Sequence, residues 1–301
     1  MPKDIFAMIG ETPIVELSRM NNTNSTILAK FEALNPTGSI KDVMAYYMMD
    51  VAEKRGLLRS GMTIIEATSG NTGISFAMLA AVKGYHFMAV MPEYMSAERK
   101  QMMEAFGAEI VLTPAKEGFA GCLKKLEELA ANNPGAWIPR QFDNPNNTAA
   151  HREITGRKIL EEVEGRIDAF VCGVGTGGTL MGVAEALLKV HPNLQVIAVE
   201  PAESAVMSGG KPGTHLIQGI GPGYIPSLVN MDIIDRVIAV ESQEAIDMTK
   251  RLLTEEGLMV GVSSGANVLA ALKVAAELDD GQTIVTILPD RAERYLSMNM
   301  L

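Results

Sequence analysis

The sequence predicts an α/β protein of two domains, each an open, mostly parallel twisted sheet flanked by helices. Three observations predict it. Short apolar runs alternate with segments of helical periodicity, and strands that feed helices in this way pair in parallel beneath helices on both faces. Two Gly-rich turns, at 68–73 and 173–179, each lie between a strand and a helix. The 301 residues also exceed the roughly 150 expected of one domain.

The elements follow in order. A strand over 62–66 leads through a Gly-rich turn into a helix over 74–83 that ends at Gly84. The next strand, 86–91, stops at Pro92. Ser96 is the expected N-cap of a helix running to Phe106, with Gly107 at its C-terminal end. A strand over 109–113 and a helix over 119–131 close the first series. The segment 139–147, with Asp143-Asn144-Pro145-Asn146-Asn147, breaks the alternation and is the expected linker. The second series has a helix over 149–163, a strand over 168–172, a Gly-rich turn, a helix over 180–190 and a strand over 195–200. A long irregular stretch reaches Asp232. A strand over 235–240, helices over 243–256 and 266–277 and a strand over 283–288 complete the chain.

Composition narrows the function classes. At 47% hydrophobic and 21% charged residues, the chain suits a full core and not disorder, collagen or coiled coil. No apolar run reaches the about 18 residues of a membrane span, and the N-terminus lacks an apolar signal region. A soluble, cytoplasmic protein is expected. Against 36 acidic residues stand 26 basic ones, a net charge of −10, so neither nucleic acid nor membrane is an expected partner. Cys122 and Cys172, with His86, His151, His191 and His215, form no metal-ligand spacing. The two thiols are expected to be buried in a reducing compartment, and the 20 methionines to fill the core.

Three motifs carry chemistry. In Gly173-Val174-Gly175-Thr176-Gly177-Gly178-Thr179, few side chains and many free N–H groups at a helix start make an anion cradle. Two readings stay open on that loop alone. Gly173, Gly175 and Gly178 fit the dinucleotide pattern G-x-G-x-x-G, with Glu200 about 20 residues on for a ribose. The other is a single phosphate monoester held by backbone N–H groups and the hydroxyls of Thr176 and Thr179. In Asn35-Pro36-Thr37-Gly38-Ser39-Ile40-Lys41-Asp42, Ser39 with Asp42 resembles a capping box. Lys41 then lies in a first helical turn, where the dipole favours an uncharged amine or an imine. Thr68-Ser69-Gly70-Asn71-Thr72-Gly73 is a neutral receptor for a carboxylate. A fourth stretch, Gly261-Val262-Ser263-Ser264-Gly265, reads first as a helix cap. A reactive amine, a cradle for one phosphate and a carboxylate receptor together describe a pyridoxal-phosphate (PLP) enzyme acting on an amino acid.

These motifs resemble the cysteine synthase (O-acetylserine sulfhydrylase) family. So do Met91-Pro92-Glu93, Met95-Ser96-Ala97-Glu98-Arg99, Gln141-Phe142-Asp143-Asn144-Pro145, Gln218-Gly219-Ile220-Gly221 and Glu293-Arg294-Tyr295-Leu296-Ser297. The resemblance runs nearly end to end. It implies a fold type II PLP enzyme, a homodimer, with a smaller domain at 36–145 and a larger, phosphate-binding domain formed by 1–35 and 146–301. Lys41 is then the Schiff-base lysine and the proton-abstracting base. Gly175, Thr176, Gly177, Gly178 and Thr179 hold the cofactor phosphate, Asn71 bonds the ring oxygen and Ser263, rather than Ser264, faces the ring nitrogen. Thr68, Ser69, Thr72 and Gln141 receive the substrate carboxylate, and Gly219 lines the reacting centre. The implied reaction is β-replacement of O-acetyl-L-serine by sulfide through an aminoacrylate, giving L-cysteine. Serine acetyltransferase is a candidate partner.

The chain departs from the family pattern at Val43 (commonly Arg), Ala67 (commonly Pro) and Phe119 (often Met), and it ends early at Leu301. Cystathionine β-synthase-like replacement and an O-phosphoserine-dependent reaction are the nearest alternatives. The latter calls for an extra cation, and Lys211 does not single itself out. A dehydratase fits less well, because His commonly replaces Thr72 there. Outside PLP chemistry stand a NAD-dependent Rossmann dehydrogenase and a non-catalytic relative.

Overall fold

The computed structural model describes residues 4–68, 70–93 and 95–298. Ser69, one of the expected carboxylate-binding residues, lies outside the described residues. The strands are β1 (Ile14–Glu16), β2 (Thr26–Lys30), β3 (Thr63–Ala67), β4 (His86–Pro92), β5 (Glu109–Thr113), β6 (Ala169–Gly173), β7 (Gln195–Pro201), β8 (Arg236–Val240) and β9 (Thr283–Ile287). They form a six-stranded sheet in the order β1-β2-β9-β6-β7-β8 and a three-stranded sheet β3-β4-β5. All pairings are parallel except β1 with β2. Two α/β domains result, each built on one sheet.

Helices cover both sheets: α1 (Lys41–Lys54), α2 (Asn71–Lys83), α3 (Ala97–Ala105), α4 (Gly118–Asn132), α5 (Pro145–Ala150), α6 (Arg157–Glu162), α7 (Gly178–Leu188), α8 (Ser242–Arg251) and α9 (Val262–Glu277). On the small sheet, one core joins α1 and α2 through Met44, Met48, Met49, Phe76, Met78 and Met91, and the other forms around Cys122 and Leu126 of α4. At about 1.5–3 kcal/mol per buried large side chain, these methionines are structural. Both cysteines are free and buried. Among the described residues no helix is long and apolar enough to cross a membrane.

Four differences from the sequence expectations have physical causes. The first two strands carry too little pattern to read: β1 has three residues, and β2 ends in Lys30, a fully buried cation whose Nζ bonds the Thr12 carbonyl and Glu162 at 2.5 Å. The linker is shorter than expected, because Asn144 caps α5 by accepting from the Asn146 N–H at 3.0 Å. From there one helical rod runs to Glu162 through a π-helical turn at His151–Gly156. Ser96 occupies the N-cap position of α3 with its hydroxyl buried and unpartnered, so it makes no capping bond. Finally, α2, α7 and α9 begin at Asn71, Gly178 and Val262, earlier than periodicity indicated. Polar and glycine residues carry no apolar signal, yet here they form the first helical turns.

Candidate active site

A cavity of about 430 Å³ opens at the carboxyl ends of β3, β4, β6 and β9, the place where such sheets bind ligands. Lys41, Thr68, Asn71, Thr72, Gln141, Gly175, Thr176, Gly177, Thr179, Gly219 and Ser263 line it. Gly178 stands beside them, and Ser264 lies outside the lining with its hydroxyl buried and unpartnered.

Lys41 is the first residue of α1. The loop before it is held from several sides. Asn35 Oδ1 accepts the Gly10 N–H at 2.8 Å, and Asp42 accepts from the Thr37 N–H at 2.7 Å and from Ser75 Oγ at 2.6 Å. Arg294 donates to the Thr37 and Gly38 carbonyls. The expected capping box is therefore not formed: the Asp42 carboxylate joins the loop to α2, while Ser39 Oγ accepts from the Lys41 N–H at 3.3 Å. Burial pushes the Lys41 amine below its ordinary pKa, opposed by the nearby Cys172 and Asp290. Burial also drives the Cys172 thiol up to about 12, so it stays protonated.

The Gly-rich loop closes tightly. A Cβ at Gly175 would meet the Gly219 carbonyl oxygen at 2.3 Å, and one at Gly178 would meet Asn147 Oδ1 at 2.0 Å. Gly177 has a φ of +87°, which turns the chain into α7. Thr176 Oγ1 accepts from Asn147 Nδ2 at 2.9 Å. Thr179 Oγ1 lies 3.3 Å from His151 Nε2, and His151, pushed down to about 3 first by burial and then by Lys41, is neutral. The cradle thus offers amides, hydroxyls and a helix N-terminus, a donor set suited to a phosphate monoester.

Glu200, the acidic residue of the dinucleotide reading, is not free for a ribose. Its carboxylate accepts from the Met207 N–H (2.8 Å), the Ser208 N–H (2.9 Å) and Ser208 Oγ (2.6 Å), pinning the turn after β7.

The loop expected to receive a carboxylate is bonded internally. Thr72 Oγ1 donates to Gln141 Oε1 at 2.7 Å, and Thr68 Oγ1 accepts the Gly73 N–H at 3.2 Å. Asn71 Nδ2 donates to Asp290 Oδ2 at 2.6 Å, which leaves Asn71 Oδ1 buried and unpartnered. An orphaned acceptor at Asn71 and the Ser263 hydroxyl, both in the lining with Lys41, fit a ligand with a ring hydroxyl and a ring nitrogen, so the residues present suit PLP.

Several site residues gave no sequence signal. Asn147 was hidden in the presumed linker, and Glu66 within an apolar strand. Asp290 follows the last strand, and Arg99, although part of a motif that carries the family resemblance, sits on a polar helix that shows no chemical role. Phe119 lines the cavity edge-on to Phe142, ring centroids 5.7 Å apart, and Phe142 meets Tyr224 at 6.1 Å. Lys211 is exposed and outside the lining. Among the described residues no cluster of His, Cys, Asp or Glu could hold a metal ion.

Residues 5–290 match the model of a family described as pyridoxal-phosphate dependent enzyme. A cysteine synthase of Staphylococcus aureus (strain N315) is 47% identical over 296 residues, covering 98% of this chain and 95% of that protein. Among solved structures, an O-ureido-L-serine synthase superposes with a TM-score of 0.96 at 41% identity, over 100% of this chain and 95% of that one. A cysteine synthase from Entamoeba histolytica also gives 0.96, at 42% identity, over 100% and 90%.

Proposed function

The chain belongs to the cysteine-synthase branch of the fold type II pyridoxal-phosphate dependent enzymes, and we propose that it makes L-cysteine from O-acetyl-L-serine and sulfide. PLP-dependent β-replacement is the general chemistry of this group; the donor and nucleophile are our reading. One observation carries it: a desolvated amine at Lys41, a phosphate cradle at 175–179 and a carboxylate receptor at Thr68, Thr72 and Gln141 line a single cavity.

When bound, PLP supplies an aldehyde for an amine and a ring that withdraws electrons from the substrate α-carbon. The amides and hydroxyls of 175–179 hold its phosphate, Asn71 its ring oxygen, and Ser263 its ring nitrogen. A serine hydroxyl there leaves the nitrogen unprotonated, which suits prompt loss of a β-substituent. Thr68, Ser69, Thr72 and Gln141 hold the α-carboxylate, and Gly219 keeps the reacting centre free of a side chain. Lys41 Nζ, its pKa lowered by burial, takes the α-proton, the C–H pair forms a Cα–Cβ double bond, and acetate leaves Cβ with its bonding pair. Sulfide then forms the C–S bond at Cβ, and Lys41 returns the proton to Cα. We read 36–145 as the smaller domain and the active form as a cytoplasmic homodimer.

The test is product analysis of the holoenzyme with serine, O-acetylserine and O-phosphoserine, each against sulfide and homocysteine. Cysteine from O-acetylserine and sulfide should dominate. Preferential cystathionine formation would overturn the assignment.

A further inference from the structure

Behind the Gly-rich loop stands a chain of three side chains, Thr155, His151 and Thr179. The π-helical turn His151–Gly156 supplies the first two and the start of α7 the third. Glycines bring these segments together: a Cβ at Gly182 would stand 2.8 Å from His151 Cβ, and one at Gly156 would stand 2.6 Å from Ala186 Cβ. His151 is 1% exposed and Thr155 is fully buried, whereas Thr179 lines the cavity. Thr155 Oγ1 lies 3.0 Å from His151 Nδ1, and His151 Nε2 lies 3.3 Å from Thr179 Oγ1. Turns of this helical type are uncommon and concentrate at functional sites.

Counting protons orders the chain. Burial, and then Lys41, keeps His151 neutral, so its ring carries one N–H and one nitrogen lone pair. His151 Nδ1 is the one side-chain partner of the Thr155 hydroxyl among the described residues. A buried hydroxyl without an acceptor is costly, so Thr155 donates to Nδ1. The ring proton then sits on Nε2 and points at Thr179 Oγ1, which leaves the Thr179 proton free to turn elsewhere. The opposite order would strand the Thr155 proton and engage the Thr179 proton on the ring.

We propose that Thr155 and His151 are positioning residues that make the Thr179 hydroxyl a fixed donor toward the cavity, where it meets the cofactor phosphate. The proposal rests on the PLP reading of this cavity. A phosphate dianion only accepts hydrogen bonds. A hydroxyl whose lone pair already takes the Nε2 proton therefore serves it better than one free to present either its proton or its lone pairs. No proton is transferred and the imidazole adds no charge; it sets direction alone.

Nitrogen NMR of the wild type, labelled with 15N in its histidine rings, reads the order directly, because protonated and bare nitrogens of a neutral imidazole resonate far apart. His151→Gln identifies the His151 signals among those of the four histidines. The proton should sit on Nε2 with and without PLP, and a proton on Nδ1 in either state would overturn the proposal. Equilibrium dialysis of the apoenzyme then compares PLP with pyridoxal, which lacks the phosphate. Thr155→Val removes the donor to Nδ1 with little change of shape, and should weaken PLP about tenfold while changing pyridoxal little. Thr155→Ser, which keeps the hydroxyl, should bind PLP as the wild type does. Unchanged PLP affinity in Thr155→Val, equal weakening of both ligands, or the same loss in Thr155→Ser would overturn the proposal. A wild type that binds pyridoxal as tightly as PLP, with the proton still on Nε2, would instead overturn the phosphate reading on which it rests.

Discussion

The carboxylate of Glu66 accepts the backbone N–H of Gln141 at 3.1 Å, across 75 residues of chain. Its other oxygen takes the Arg140 N–H at 2.9 Å, holding Arg140 at a φ of 54°, the only left-handed non-glycine residue among those described. Strain of this kind persists where surrounding bonds over-determine it. Here the bonds aim the Gln141 side chain at Thr72.

Burial raises the Glu66 carboxyl to about 7, against the two amide bonds and the nearby Arg140, with Asp143 adding to the rise. Arg140 itself is paired with Glu127 at 2.7 Å. Above pH 7 the ionised carboxylate accepts both amides; below it, one oxygen carries a proton. The KM for the amino-acid donor should therefore rise as pH falls through about 7, and Glu66→Gln should flatten that step. Stability runs the other way. A folded pKa above the ordinary 4.5 means that the folded state holds a proton the unfolded chain has lost, so this group's contribution declines as pH rises from about 4.5 to 7. Denaturant titrations across that window, with and without Glu66→Gln, check the sign.

Lys41→Ala should abolish turnover while the protein still binds PLP non-covalently. Borohydride reduction of the wild-type holoenzyme should attach the cofactor to the peptide containing Lys41. Mass spectrometry of the digest reads the outcome, and attachment at another lysine would contradict the role given to Lys41.

Asn147 Nδ2 donates both to the Gln141 carbonyl at 2.8 Å and to Thr176 Oγ1 at 2.9 Å, so it joins the proposed carboxylate receptor to the proposed phosphate cradle. Asn147→Ala strands a buried carbonyl, at a cost of about 1–3 kcal/mol. Unfolding by urea should show that loss, and reconstitution of the apoenzyme should need more PLP.

Gly175→Ala forces a methyl group onto the Gly219 carbonyl oxygen, 2.3 Å away. Neither partner is a flexible side chain, so the loop must shift, at a cost of about 1–3 kcal/mol. Cofactor absorbance per protein should fall well below that of the wild type after dialysis.

Phe119 narrows the cavity against Phe142. Phe119→Ala should raise the ratio of kcat/KM for homocysteine to that for sulfide by at least about tenfold, because a few methylenes of space are worth that much in an apolar pocket. Steady-state kinetics with both thiols decides it.

The sequence by itself determined the alternating architecture, the Gly-rich turn at 173–179 and the place of Lys41 at a helix start, because each is written in contiguous residues: an apolar run, a run of glycines, a helix start. Lys41 and the 175–179 loop are legible for that reason. Glu66, Arg99, Asn147 and Asp290 are not. A buried carboxylate in a strand, or an arginine on a polar helix, takes its meaning from partners tens of residues away, such as Gln141 for Glu66 and Gln218 for Arg99. Only the tertiary structure decided which charges lost their water, which of them found a counter-ion, and that the Glu200 carboxylate was already engaged by its own following turn. Local pattern specifies elements, whereas desolvation and long-range pairing, which set pKa values and binding energy, exist only once distant segments are packed together.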